Sequence, residues 1–296
     1  MSKSVAICIP NRNAFEMIEL CIESILYYTK YPNYKIIVFD DFSYLPSVNK
    51  EPRLPASDIS YLRKCRDEGL LELHENSGPP LTHGGSLNRL LHEYAKDYDY
   101  VAILDNDIQI KGYNWLADLV NIAESNPKTL AVVDSKIGGF ARWAYRTPIH
   151  LWWFGLLNMQ AYQDGMKVDW KLCKTDRREW PYSKEFEDFY PPENCKWTWY
   201  FESAEHIRKE DFDVNVVCND PGAKLCMKVK YENPKGYRVL PIPPSLFQKY
   251  HHFGHLSMIS VPSPFHEPAV GKAREERYER VREELGKMRE RTSKAS

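Results

Sequence analysis

The sequence predicts an α/β fold: a mainly parallel central sheet flanked by helices, followed by a C-terminal helical extension. Three observations carry this. Five short apolar runs in the first half of the chain alternate with segments of helical period. Four of those runs end in Asp or Asn, and ligands of such sheets sit beyond the carboxyl ends of the strands. The last residues form a charged stretch with a single apolar stripe.

The elements follow in order. Ser4 to Pro10 is the first apolar run, and Met17, Ile18, Cys21, Ile22, Ile25 and Leu26 recur at the spacing of a helix. Tyr34 to Phe39 is the second strand, stopped by Asp40 and Asp41. A helix over Ile59–Asp67 leads to a third strand, Leu70–His74. His83–Tyr94 has helical spacing, and Tyr98–Leu104 is a fourth strand ending in Asp105-Asn106-Asp107. Trp115–Ala123 is helical and Thr129–Val133 is the fifth strand. Beyond residue 137 the alternation dissolves, and residues 140–200, rich in Trp, Tyr and Pro, are expected to form an insertion over the sheet edge. Asp220 caps a helix with Pro221 at its first position, and Gly236–Leu240 is the last strand expected. The tail, Lys272–Lys294, aligns Tyr278, Val281, Leu285 and Met288 along one stripe, as a solvated helix or a homodimer seam. The expected organisation is one domain over 1–270, with a donor half to about 137 and an acceptor half over 138–270, and a charged helix over 271–296.

Composition narrows the function classes. The chain has 296 residues with 40 Lys+Arg against 41 Asp+Glu, so it lacks the broad basic field of a dedicated nucleic-acid binder. Residues 272–294 hold 9 basic and 6 acidic side chains, leaving the remainder acidic. Seven cysteines with no C-x-x-C pair argue against a disulfide framework and a zinc site of the usual spacing. No apolar run approaches the ~20 residues of a membrane span, and no secretory signal is evident. The expectation is a cytoplasmic protein, at most peripheral at a membrane surface.

Asp105 and Asp107, one residue apart at the end of a buried strand, can present oxygen ligands to Mn²⁺ or Mg²⁺. As turn residues alone they would need no ligand; the strand context favours the metal. Ile9-Pro10-Asn11-Arg12-Asn13, then Val38-Phe39-Asp40-Asp41, then Asn76 with Gly84-Gly85-Ser86-Leu87-Asn88, then Leu104-Asp105-Asn106-Asp107 stand in one register. Together they resemble the nucleotide-sugar half of family 2-type glycosyltransferases with the GT-A fold, over residues 4 to about 110 and more weakly to about 255.

The resemblance implies a metal-dependent transfer of a sugar from a UDP, GDP or dTDP donor to a hydroxyl acceptor: a saccharide, a lipid-linked glycan, a protein or a modified nucleobase. It implies that Pro10, Asn13, Asp40, Asp41, Asn76, Gly85, Asn88, Asp105 and Asn106 surround the donor. Asp105 and Asp107 would hold the metal with a histidine from His251-His252-Phe253-Gly254-His255, where His251 and His255 are the leading choices. Asp220 would be the general base of an inverting transfer, with Glu202, Glu205 and Asp211 as fallback bases; here the family's Glu-Asp pair is replaced by Asn219-Asp220. A retaining transferase of the same fold, or an inactive nucleotide- or polymer-binding relative, are the alternatives. Trp152, Trp153, Trp197 and Trp199 are either core or a stacking surface for the acceptor.

Overall fold

Val5–Asn11 (β1) is buried at all seven positions, as a strand covered on both faces requires. The structure is a computed structural model and describes residues 2–12, 16–41, 59–78, 81, 83–134, 153–170, 225, 228–229, 232–253 and 268–295, together with the backbone of 174–176 and 216–218. After β1 come α1 (Glu16–Tyr28), β2 (Tyr34–Asp40), α2 (Ser60–Asp67), β3 (Glu72–Glu75) and α3 (His83–Arg89), which runs into a π-helical turn, Leu90–Tyr94. Then follow β4 (Tyr100–Leu104), β5 (Ile108–Ile110), α4 (Trp115–Glu124), β6 (Thr129–Val133), β7 (Phe154–Asn158) and α5 (Met159–Ala161). A π-helical turn, Tyr162–Met166, follows α5, and then come β8 (Lys174–Asp176), β9 (Val216–Cys218), β10 (Arg238–Pro241), a 3-10 helix (Pro244–Lys249), β11 (Tyr250–His252) and α6 (Pro268–Ala295).

Seven strands form the main sheet in the order β10-β6-β7-β4-β1-β2-β3. All neighbours are parallel except β7, which runs antiparallel between β4 and β6. Side chains of β1 alternate between two cores. Val5, Ile7 and Ile9 pack with α1, α2, α4 and α6; Ala6 and Cys8 pack with α3, the π turn and Trp170. Cys8, Cys21 and Cys65 are buried free thiols. No helix among the described residues is long and apolar enough to cross a membrane.

The α/β class and the five early strands stand as expected. Three differences bear on the site. Residues 154–158 do not lie over the sheet edge but fill its centre as β7. Gly155 makes this possible, because a Cβ there would sit 2.9 Å from Val133 Cγ1 and 3.0 Å from Val132 O. Gly236–Leu240 is not the last strand: β11 follows and pairs antiparallel with β5, in a small ladder apart from the main sheet. The stripe of α6 is neither solvated nor open as a seam, since Val281, Leu285 and Met288 are buried in the core shared with α1.

Candidate active site

Parallel strands bring their carboxyl ends to one edge, and β7, being antiparallel, brings its amino end to the same edge. The polar residues that end β1, β2, β3, β4 and β6 meet there with Trp153. Asn11 closes β1 and donates from Nδ2 to Asp40 Oδ1 at 2.7 Å; Asn106 donates from Nδ2 to Asn11 Oδ1 at 3.1 Å. All three side chains are buried. The amide of Asn106 thus braces the edge from beneath. Asp41, also buried, accepts from Asn76 Nδ2 at 2.7 Å and from the Leu81 N–H at 3.0 Å, with Arg12 at 3.8 Å. Burial nevertheless raises its carboxyl above the ordinary range, against the opposing pull of these donors.

The second cluster is built by β4, β5 and β11. Asp105 and Asp107 flank the turn between β4 and β5, closed by the Ile108 N–H on Asp105 O. The β11–β5 register sets His252 opposite Ile108, and the Phe253 N–H donates to Asp107 O at 3.1 Å. His252 Nε2 then lies 3.1 Å from Asp107 Oδ1. One oxygen from each aspartate and one imidazole nitrogen all lie within 4.8 Å of one another. Asp105 Oδ1 is shielded from solvent and accepts no hydrogen bond, a state that leaves a buried acceptor uncompensated. Two carboxylates and an imidazole suit Mn²⁺ or Mg²⁺ by ligand type, and a divalent ion would satisfy that oxygen. The residues present therefore fit the group.

The electrostatics agree with the geometry. Burial, aided by the charge of Asp107 and opposed by His83 and His252, pushes the Asp105 carboxyl up. Burial works to lower the His252 imidazole, but the contact with Asp107 and the charges of Asp107, Asp105 and Asp134 outweigh it, and the net direction is up. Like charges this close are stabilised by a cation between them.

The histidine of the cluster is His252, and His251 does not join it. Successive strand residues face opposite sides, so His251, opposite Gln109, packs edge-on against Phe253. Asn76, Gly85 and Asn88 gather elsewhere on the edge, around a groove of about 630 Å³ that Gly78, Leu81 and Arg89 also line. Asn88 is committed within the fold: its Oδ1 accepts from the Trp170 N–H at 2.9 Å and its Nδ2 donates to Asp169. Pro10 is buried near the end of β1. Asn13, Asp220 and His255 lie outside the described residues, as do Glu202, Glu205, Asp211, Trp152, Trp197 and Trp199.

Two site residues escaped the sequence reading. His83 opens α3 and places Nε2 3.6 Å from Asp105 Oδ1; its position just before Gly84-Gly85, at the start of a helix facing this edge, was the available signal. Asp134 follows β6 directly and is buried; it extends the pattern of strand-end Asp and Asn residues to a fifth strand. Trp153 sits against His252, with ring centroids 4.5 Å apart, and its carbonyl accepts from the Asp105 N–H at 2.8 Å.

The model of the family described as Glycosyl transferase family 2 matches residues 6–180. Among solved structures, the chain is similar to the mannosyltransferase PcManGT from Pyrobaculum calidifontis, in complex with GDP-Man and Mn²⁺, at 19% identity and a TM-score of 0.41, covering 55% of this chain and 47% of that one. It is similar to S. aureus TarS 1-349 at 12% identity and a TM-score of 0.40, covering 57% of this chain and 50% of that one. A third is glucosyl-3-phosphoglycerate synthase from Mycobacterium tuberculosis, in complex with Mn²⁺, UDP and glucosyl-3-phosphoglycerate, at 17% identity and a TM-score of 0.39, covering 53% of this chain and 57% of that one. The chain thus spans about half the length of these structures. No curated protein matches the sequence.

Proposed function

The chain belongs to glycosyl transferase family 2, and from that premise we propose that it is a metal-dependent glycosyltransferase moving a sugar from a nucleoside-diphosphate donor to a hydroxyl acceptor. The observation that carries the reading is the meeting of Asp105, Asp107 and His252 at the carboxyl edge of a GT-A-type sheet. Beside them stand Asp40 and Asp41, carboxylates suited to accept from the N–H and hydroxyl donors of a base and ribose. UDP, GDP and dTDP sugars are the donor class.

Asp105, Asp107 and His252 would hold Mn²⁺ or Mg²⁺. When bound, that ion neutralises charge on a departing diphosphate. The chain's own work is to present the ligands and exclude water from them. Asn106 and Asn11 fix the β4 turn against Asp40, so the carboxylates are ordered before any donor arrives, and little reorganisation remains at the moment of transfer. Asp220 would take the proton of the acceptor hydroxyl, giving inversion at the anomeric carbon. Its support is the sequence register of Asn219-Asp220-Pro221 ahead of Gly236-Tyr237-Arg238. The acceptor is a hydroxyl compound, and the aromatic-rich residues 140–200 are the sequence feature that would select it.

The test is a nucleotide-sugar screen by thermal shift with and without Mn²⁺, followed by transfer assays. A matched donor should raise the melting temperature in a Mn²⁺-dependent way. Asp107→Ala should then lower turnover by about 10²-fold or more, and Asp220→Asn by about 10²–10⁴-fold. His251→Ala should leave Mn²⁺ dependence as it was. Wild-type transfer by both carboxylate variants would overturn the mechanism. A retained anomeric configuration, read by NMR, would remove Asp220 from the role of base.

A further inference from the structure

His252 is carried by a strand with little of its own to hold it. β11 pairs with β5 over three residues only, outside the seven-stranded sheet, and a ladder that short is marginal alone. Beside the Phe253 N–H on Asp107 O and the contact of Trp153 with His252, Tyr250 ties it to the sheet; it stands two residues before His252 and therefore on the same face of the strand. The Tyr250 ring stacks on Phe154, the first residue of β7, with centroids 4.0 Å apart and planes 23° apart. Its hydroxyl donates to Asp134 Oδ2 at 2.6 Å. Asp134 directly follows β6, is buried, and donates its own N–H to Phe154 O at 3.1 Å. Asp134, Phe154 and Tyr250 thus lock the end of the central sheet to the strand that bears the histidine.

Resting on the metal reading above, we infer that Asp134 and Tyr250 are positioning residues for the metal centre. By holding β11 in place they set His252 Nε2 at 3.1 Å from Asp107 Oδ1. Neither residue belongs to the Asp105, Asp107 and His252 cluster itself. A buried acid and hydroxyl are an expensive way to gain packing alone, because an apolar pair of similar shape is nearly as stable. Their use is directional: a charge-assisted hydrogen bond fixes where the tyrosine points.

The experiment is direct titration of the full chain with Mn²⁺ alone, followed by the EPR signal of the free ion, alongside thermal unfolding. Tyr250→Phe keeps the ring on Phe154 and removes only the hydroxyl. It is expected to weaken Mn²⁺ binding about tenfold, the lower end of what outer contacts contribute to metal affinity. A second variant, Asp134→Leu with Tyr250→Phe, replaces both polar partners by apolar groups; it is expected to recover melting temperature but not Mn²⁺ affinity. Wild-type affinity in either variant, with only the melting temperature changed, would reduce the pair to a structural contact and overturn the inference. Should the single variant fail to fold, the double variant decides. A wild-type chain that binds no Mn²⁺ would instead overturn the metal reading, a different failure from the loss of this one.

Discussion

Truncating Leu285 tests whether α6 is part of the fold or an appendage. The helix meets α1 through two kinds of contact. One is electrostatic: Arg282 Nε on Glu16 Oε1 at 3.1 Å, Arg289 on Glu19, and Arg291 on the Tyr28 hydroxyl at 2.9 Å. Arg282 is 56% exposed in its side chain, and pairs of this kind contribute about 0–1 kcal/mol each. The other is the apolar stripe, where Val281 is fully buried, Met288 is 1% exposed and Leu285 is 3% exposed. Leu→Ala at a closed site costs about 2–5 kcal/mol, transfer and cavity together. The stripe therefore outweighs the ion pairs, and Leu285→Ala should destabilise by about 3 kcal/mol.

Urea unfolding followed by circular dichroism measures this. With a slope of about 1–3 kcal/mol per molar, the midpoint should fall by roughly 1 M or more at unchanged slope. Arg282→Ala should lose under about 1 kcal/mol, and less at high salt. A shift for Leu285→Ala below about 0.5 kcal/mol, the range of ordinary surface substitutions, would refute the packing argument. So would a wild-type midpoint that climbs with protein concentration, which is the signature of a subunit seam.

Two further predictions concern the sheet. Gly155→Ala should cost about 1–3 kcal/mol by overpacking β7 against Val132 and Val133, whereas Gly286→Ala, in open space on α6, should gain up to about 1 kcal/mol; paired urea curves decide, and equal signs would contradict the register of β7. His74 on β3 stacks on Tyr94 with centroids 3.7 Å apart, and burial holds its imidazole below the usual pKa. Its folded value lies under the unfolded one of about 6.5, so the unfolded chain takes up the proton first. The contribution of neutral His74 is fully present above about pH 6.5 and is lost as pH falls toward the folded value. Urea midpoints between pH 7.5 and 5.5 should drop more steeply for wild type than for His74→Gln, and parallel curves would sink the assignment.

Much of this was legible in the residues because parallel strands are buried on both faces and show as unbroken apolar runs. β1, β2, β4 and β6 announce themselves that way, and the Asp and Asn residues at the ends of β1, β2 and β4 mark the edge where a ligand goes. β7 was hidden for a topological reason. Its apolar run follows a long segment of no clear period, and nothing local distinguishes a strand that returns antiparallel into the sheet centre from one that stays outside. The single sign was Gly155, small enough to let β6 approach. β5 and β11 were hidden for a reason of length, since three residues carry too little alternation to register.

That second gap is why the sequence leaves open which of the three histidines faces the carboxylates. Three histidines within five residues told of a site, but strand alternation puts His251 and His252 on opposite faces, and only the partner strand says which face is which. The partner is β5, which begins directly after Asp107, so the same turn that presents the two carboxylates also sets the register of the imidazole. His252 is opposite Ile108 because Tyr250 is opposite Ile110, and Tyr250 is held from below by Asp134. The Asp-Asp-His cluster is thus a property of pairing between residues about 145 apart in the chain, a separation across which no local pattern operates. Moving β11 by a single residue would bring His251 to the carboxylates and send Tyr250 away from Asp134. Loss of the Tyr250–Asp134 hydrogen bond opposes such a slip.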